Sequence, residues 1–144
     1  MDNIQEITKA TVASTDENKN PLFPVFLKLD QVNTLLVGAG NVGLEKLHAL
    51  LANAPEARVT IVAPEIKEEI RRLVYRHPAC RLEQRPFDES DLAGKELLIL
   101  ATDNRGLHEE IYVVAKRRGI LVNVADTPDL CDFYLGSIVQ KGNL

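Results

Sequence analysis

Leu35-Leu36-Val37-Gly38-Ala39-Gly40-Asn41-Val42-Gly43 is the stretch that decides the fold. An apolar run, Thr34–Val37, reads as a buried strand and leads directly into G-x-G-x-x-G. Residues 41–52 follow with Leu44, Leu47 and Leu51 at helical spacing. Each glycine has a distinct expected use. Gly38 permits a tight turn, Gly40 removes the Cβ that would block phosphates, and Gly43 brings the helix close to the strand. Unpaired N–H groups and a partial positive charge at the helix start then suit a dinucleotide diphosphate. Strand, glycine turn and helix in this order make the motif far more specific than the glycines alone.

Outward from the turn, strand and helix signals alternate. Strands are predicted at Arg58–Val62, Arg81–Gln84, Leu97–Ala101, Leu121–Val124 and Ser137–Gln140. A helix is predicted over Glu65–Arg76, with Ile66, Ile70, Leu73 and Val74 inward and Glu68 four residues before Arg72. Another runs from an Asp103 or Asn104 cap to Arg118, with Leu107, Ile111, Val114 and Ala115 inward and Gly119 as its stop. Pro86–Gly94 reads as a loop with one helical turn at Ser90–Leu92. The expected class is α/β, a Rossmann-like open parallel sheet with helices on both faces. Residues 1–20 read as a disordered tail and 21–136 as the nucleotide-binding domain. Pro21–Leu27 is expected to pack as an edge segment, and 137–144 to begin a truncated dimerisation segment.

Composition narrows the function. The 144 residues are 45% hydrophobic and 26% charged, with a net charge of −4, which offers nothing to a nucleic-acid backbone. There is no apolar run long enough for a membrane helix, and the N-terminus has no secretory pattern. Cys80 and Cys131 read as free thiols of a cytoplasmic protein. His77 and Cys80 are too few for a metal site, so no metal ligand is predicted. Tyr112 and Lys116 match a Tyr-x-x-x-Lys pair but lie inside an amphipathic helix, and His48 and His108 read as surface or packing residues.

Ligands on an open parallel sheet bind beyond the carboxyl ends of its strands. Those ends carry Gly38–Gly43, Ala63–Glu65, Ala101–Asn104 and Ala125–Asp132. Asp126 follows a buried strand there, placed either as a proton acceptor or as the cap of the Thr127-Pro128-Asp129 turn. The second strand ends Val62-Ala63-Pro64-Glu65, so the acid that commonly grips a ribose is displaced toward the next helix, where Glu65 also suits a first turn. No Arg follows at once, which favours NAD over NADP. Asp103 and Asn104 read as cofactor neighbours or helix caps, and the Thr102 hydroxyl as a cofactor contact.

Five stretches together resemble the precorrin-2 dehydrogenase family, the NAD-dependent module of siroheme synthase: Leu22–Leu27, Val37–Gly43, Val62–Glu65, Ala101–Asn104 and Val122–Phe133. Asn123-Val124-Ala125-Asp126, followed by Phe133, is the most specific of them. The family often has Ala at the position of Gly43, a difference read as harmless. The resemblance implies NAD-dependent dehydrogenation of precorrin-2 to sirohydrochlorin, with Fe2+ insertion in some members, by a homodimer. It implies Asp126 as the acid–base residue, and an NAD site formed by Gly38, Gly40, Asn41, Val42 and Gly43 with Pro64 and Glu65. Thr102 and Asp103 join this candidate site from their strand end. The competing reading is a nucleotide-sensing regulatory module without catalysis.

Overall fold

The computed structural model describes residues 21–135. The tail at 1–20, the strand expected at Ser137–Gln140 and the dimerisation segment lie outside the described residues. Five parallel strands run β1 (Asn33–Val37), β2 (Arg58–Ala63), β3 (Arg81–Gln84), β4 (Leu97–Leu100) and β5 (Leu121–Val124). Three helices connect them: α1 (Asn41–Asn53), α2 (Glu68–Tyr75) and α3 (Arg105–Arg117). Short 3-10 turns lie at Glu89–Leu92 and Pro128–Leu130.

The sheet order is β3-β2-β1-β4-β5. The chain builds outward from β1 in one direction and then restarts on its other side at β4. β1 and β4 are therefore neighbours whose connections leave in opposite directions, and a crevice opens beyond their carboxyl ends. Alternate residues of β1 serve two separate cores. Leu36 joins Leu47, Leu51, Ile61, Ile70 and Ile99 on the face covered by α1 and α2. Leu35 and Val37 join Leu98, Leu100, Ile111, Ala115 and Val122 on the face covered by α3. Covering on both faces explains why the central strands read as continuous apolar runs.

Two expectations change. The helix predicted from Glu65 begins at Glu68, with Lys67 extended at its N-cap. The Lys67 amide donates to the Ala39 carbonyl at 2.9 Å, so residues 64–67 are tied to the glycine turn instead of winding into the helix. Glu65 is therefore not a first-turn residue, and the first-turn acids are Glu68 and Glu69. Among the described residues it is Glu69, paired with Lys67 at 3.5 Å, that forms the ion pair of this helix start, and Glu68 makes none with Arg72. The Pro21–Leu27 lead-in forms no strand: Phe23 and Phe26 are both 74% exposed. Its two prolines lack the amide donors an edge strand would use.

Candidate functional site

The glycine turn is built by close backbone approach. Gly38 has φ +116, and a Cβ there would stand 2.4 Å from the Ala101 carbonyl oxygen at the end of β4. A Cβ on Gly43 would stand 2.5 Å from the Gly38 carbonyl oxygen. That corrects the expectation that Ala is harmless at 43, because both groups are fixed backbone and one must move. Gly40 differs: a Cβ there would meet nothing within 4 Å. Protein packing makes no demand for glycine at 40, so any demand must come from a molecule approaching the turn.

Gly40 is also the N-cap of α1, has no side chain to cap the first turn, and no acid lies in that turn. The 13-residue helix thus presents its first N–H groups and the positive end of its dipole outward. Gly38, Gly40, Asn41 and Val42 line one wall of a cleft of about 910 Å³. Pro64, Glu65 and Lys67 form a second wall, Thr102, Asp103, Arg105 and His108 a third, and Ala125, Asp126 and Thr127 close it. Of the residues predicted for the site, all but Gly43 line this single cleft. Gly43 is buried beneath the turn, where it acts on the path of the helix.

Asp126 is the one described non-glycine residue in the left-handed region, at φ +60. Backbone held there costs on the order of 1 kcal/mol and persists only where the surroundings fix it. The surroundings here are several. The Ala125 amide donates to Leu100 O and the Thr127 amide to Val124 O, at 2.9 and 3.2 Å. The Cys131 sulfur lies 3.2 Å from both the amide and the carbonyl of Val124, and 3.4 Å from Thr127 O. The turn is closed by Thr127, whose hydroxyl donates to Ala125 O and whose carbonyl accepts the Leu130 amide. The Asp126 carboxylate takes no hydrogen bond or ion pair among the described residues and is exposed at the cleft. It does not cap the turn.

The other acids separate in the same way. Asn104, not Asp103, caps α3, its Oδ1 accepting the Leu107 amide at 3.0 Å. Asp103 keeps its carboxylate free of hydrogen bonds at the cleft. Asp132 is structural: it accepts the Val122 amide at 2.9 Å and pairs with Lys116. Lys116 is thus engaged by an ion pair, and Tyr112 packs against the α3-side core, which removes the Tyr-x-x-x-Lys reading. Arg118 pairs with Glu89 at 3.1 Å, whereas Arg105 lines the cleft without a partner among the described residues. The described residues hold no group of three His, Cys, Asp or Glu that could bind a metal.

His108, read from sequence as a surface or packing residue, is 4% exposed and joins Ile111 and Ala115 on the buried face of α3, but its bond to Thr102 was not foreseen. Its Nε2 lies 2.7 Å from the Thr102 hydroxyl. The hydroxyl named as a cofactor contact is therefore already committed to an imidazole. A titratable residue within an apolar stripe was the signal that could have drawn attention to it.

A family model described as NAD(P)-binding matches residues 25–137. The chain belongs to this NAD(P)-binding family, and its ligand is a nicotinamide dinucleotide. It is 39% identical over 119 residues to a siroheme synthase of Pseudoalteromonas atlantica, covering 83% of this chain and 25% of that protein. It is 40% identical over 118 residues to a siroheme synthase of Methylococcus capsulatus, covering 82% and 24%. The chain thus spans about a quarter of the length of these relatives. Among solved structures, "SirC, precorrin-2 dehydrogenase" superposes with a TM-score of 0.62 at 24% identity, over 82% of this chain and 54% of that one, and so shares the fold. No helix of the described residues is long and apolar enough to cross a membrane.

Proposed function

We propose that this chain oxidises precorrin-2 to sirohydrochlorin with NAD+, as part of siroheme synthesis. The observation that carries the reading is the meeting, in one cleft, of a glycine turn at β1 and an Asp126 carboxylate after β5 that has no partner among the described residues. The similarity to siroheme synthases supports the choice of substrate.

The residues present suit a dinucleotide. Gly40 leaves a space that any side chain would fill, and the first turn of α1 supplies N–H donors for a diphosphate. Pro64 and Glu65 line the cleft beyond β2, where they would border the adenosine side and the Glu65 carboxylate could meet the ribose hydroxyls. Lys67, the nearest cation after β2, is paired with Glu69, so a 2′-phosphate has no ready partner and NAD is preferred to NADP. When bound, the nicotinamide supplies the hydride acceptor. Asp126 takes the proton released as the substrate carbon loses its hydride. Iron insertion into the product would release two pyrrole protons, and the same carboxylate would take them one at a time and pass them to solvent. Arg105 offers a guanidinium to the carboxylates of the tetrapyrrole. The reading carries with it a homodimeric enzyme in the cytoplasm.

The test is incubation of the chain with precorrin-2 and NAD+, followed by absorbance, beside calorimetry with NAD+ alone. Formation of sirohydrochlorin, abolished by Asp126→Asn, is expected. A folded chain that binds NAD+ yet yields no product would favour a sensor module and overturn the catalytic assignment.

A further inference from the structure

We propose that His108 is a positioning residue of the cofactor cleft: as the neutral Nδ1–H tautomer it fastens the β4–α3 turn against the glycine turn and fixes the floor beneath the dinucleotide. The role in cofactor binding rests on the reading above, whereas the tautomer and the clamp rest on geometry alone.

The Thr102 amide lies 3.3 Å from His108 Nε2 and the Thr102 hydroxyl 2.7 Å from the same nitrogen. An amide can only donate, so Nε2 is an acceptor and the ring proton sits on Nδ1. The hydroxyl then donates to Nε2 as well. Its own oxygen accepts the Asn104 amide at 3.0 Å, and Asn104 Oδ1 accepts the Leu107 amide at 3.0 Å. The turn is thus closed from α3 back onto α3 through one imidazole. Thr102 in turn abuts the glycine turn: a Cβ on Gly38 would stand 3.1 Å from Thr102 Cγ2, besides meeting Ala101. Moving Thr102 therefore moves a wall of the cleft and the surface against which Gly38 is seated.

Burial alone does not account for histidine here, since an apolar side chain would fill the inner stripe of α3 as well. The imidazole is the acceptor for two donors of one residue. A second proton would place an N–H against the Thr102 amide, donor facing donor, and break that bond, while the Thr102 hydroxyl would have to turn from donor to acceptor. Burial lowers the pKa of His108, opposed by the nearby Asp103 carboxylate. The remaining charged groups of the cleft are Glu65 and Lys67 before α2, Arg105 on α3 itself, and Asp126 after β5. Because the folded-state pKa lies below the ordinary histidine value, the clamp is intact at neutral pH and is lost as pH falls through the folded-state pKa.

Calorimetry with NAD+ on the full chain between pH 8 and pH 5, for the wild type, His108→Gln and His108→Leu, tests this, with Tm recorded for each. Gln offers an acceptor that does not titrate. The wild type is expected to lose up to about tenfold in affinity as acid protonates His108, the scale of one lost hydrogen bond. His108→Gln, which keeps an acceptor, should bind more tightly than His108→Leu at pH 8 and hold that affinity on acidification. His108→Leu should bind about tenfold more weakly at pH 8 and show no further loss from this source. A wild-type acid profile in His108→Gln, or wild-type binding by His108→Leu, overturns the proposal. Should His108→Leu fail to fold, the His108→Gln profile decides. If the wild type binds neither NAD+ nor NADP+, the cofactor assignment has failed. Imidazole 15N shifts then decide the clamp: an Nδ1–H tautomer with a protected Thr102 amide upholds it, and an Nε2–H tautomer refutes it.

Discussion

A Cβ placed on Gly43 would lie 2.5 Å from the carbonyl oxygen of Gly38, while one placed on Gly40 would meet no atom of the described residues within 4 Å. Two glycines of one motif are thus held by different forces. Gly43→Ala should destabilise the fold by about 1–3 kcal/mol, as overpacking does, despite the usual helical gain from Gly to Ala. Gly40→Ala should leave Tm within a degree or two and abolish NAD+ binding. Thermal unfolding and calorimetry on both variants separate the two effects, and equal Tm losses would contradict the division.

Asp126 sits at φ +60 with a carboxylate that makes no hydrogen bond or ion pair among the described residues. Asp126→Gly should raise stability by about 1 kcal/mol through relief of the left-handed conformation, while eliminating dehydrogenation. Asp126→Asn keeps a residue that tolerates the region, and should lose turnover with Tm and NAD+ affinity nearly unchanged. Paired kinetic and thermal measurements check both. A large fall in Tm for either variant would assign the residue to folding instead.

The Cys131 sulfur touches the amide and carbonyl of Val124 and the carbonyl of Thr127, all backbone of the loop that presents Asp126. Cys131→Ala should leave the Val124 amide without its partner and cost about 1 kcal/mol. Hydrogen exchange at Val124 should accelerate, and turnover should fall further than NAD+ affinity. Unchanged exchange would remove the thiol from the support of this loop.

Arg85 donates two hydrogen bonds to the Asp91 carboxylate, at 3.0 and 2.6 Å, on the turn leading into β4. This pairing, with the Asp88 amide also donating to Asp91, holds the Asp91 pKa below its ordinary value, against the opposing effect of burial. A depressed folded-state pKa contributes stability that is complete above the unfolded value and is lost as pH falls through the folded one. The Tm of the wild type should therefore drop below about pH 4, the ordinary Asp value. Asp91→Asn should start lower at neutral pH and fall less steeply on acidification. Parallel acid limbs for the two proteins would show that other carboxylates govern it.

The residues set down for the site were legible because each belongs to a local pattern. G-x-G-x-x-G after an apolar strand, a turn after each buried run, and an acid past β5 are all features of neighbours in the chain. Asn104 or Asp103 as the α3 cap was legible to within one residue, and the structure chose Asn104. Glu65 reads as helical because Ile66 beside it continues the apolar spacing of α2. What stops the helix short of it is the Lys67 amide reaching Ala39, a contact no window of sequence contains.

By itself, then, the sequence determined the alternation of strand and helix, the glycine turn and the sheet edge at which chemistry should be sought. Period and turn chemistry are local properties, so one chain suffices to read them. Only the tertiary structure decided that Asp126 is left without a partner among the described residues, that Gly43 is closed against Gly38, and that His108 serves Thr102. Each of these depends on where separate elements come to rest against one another. Their distances are fixed by the packing of two cores around β1, not by spacing along the chain.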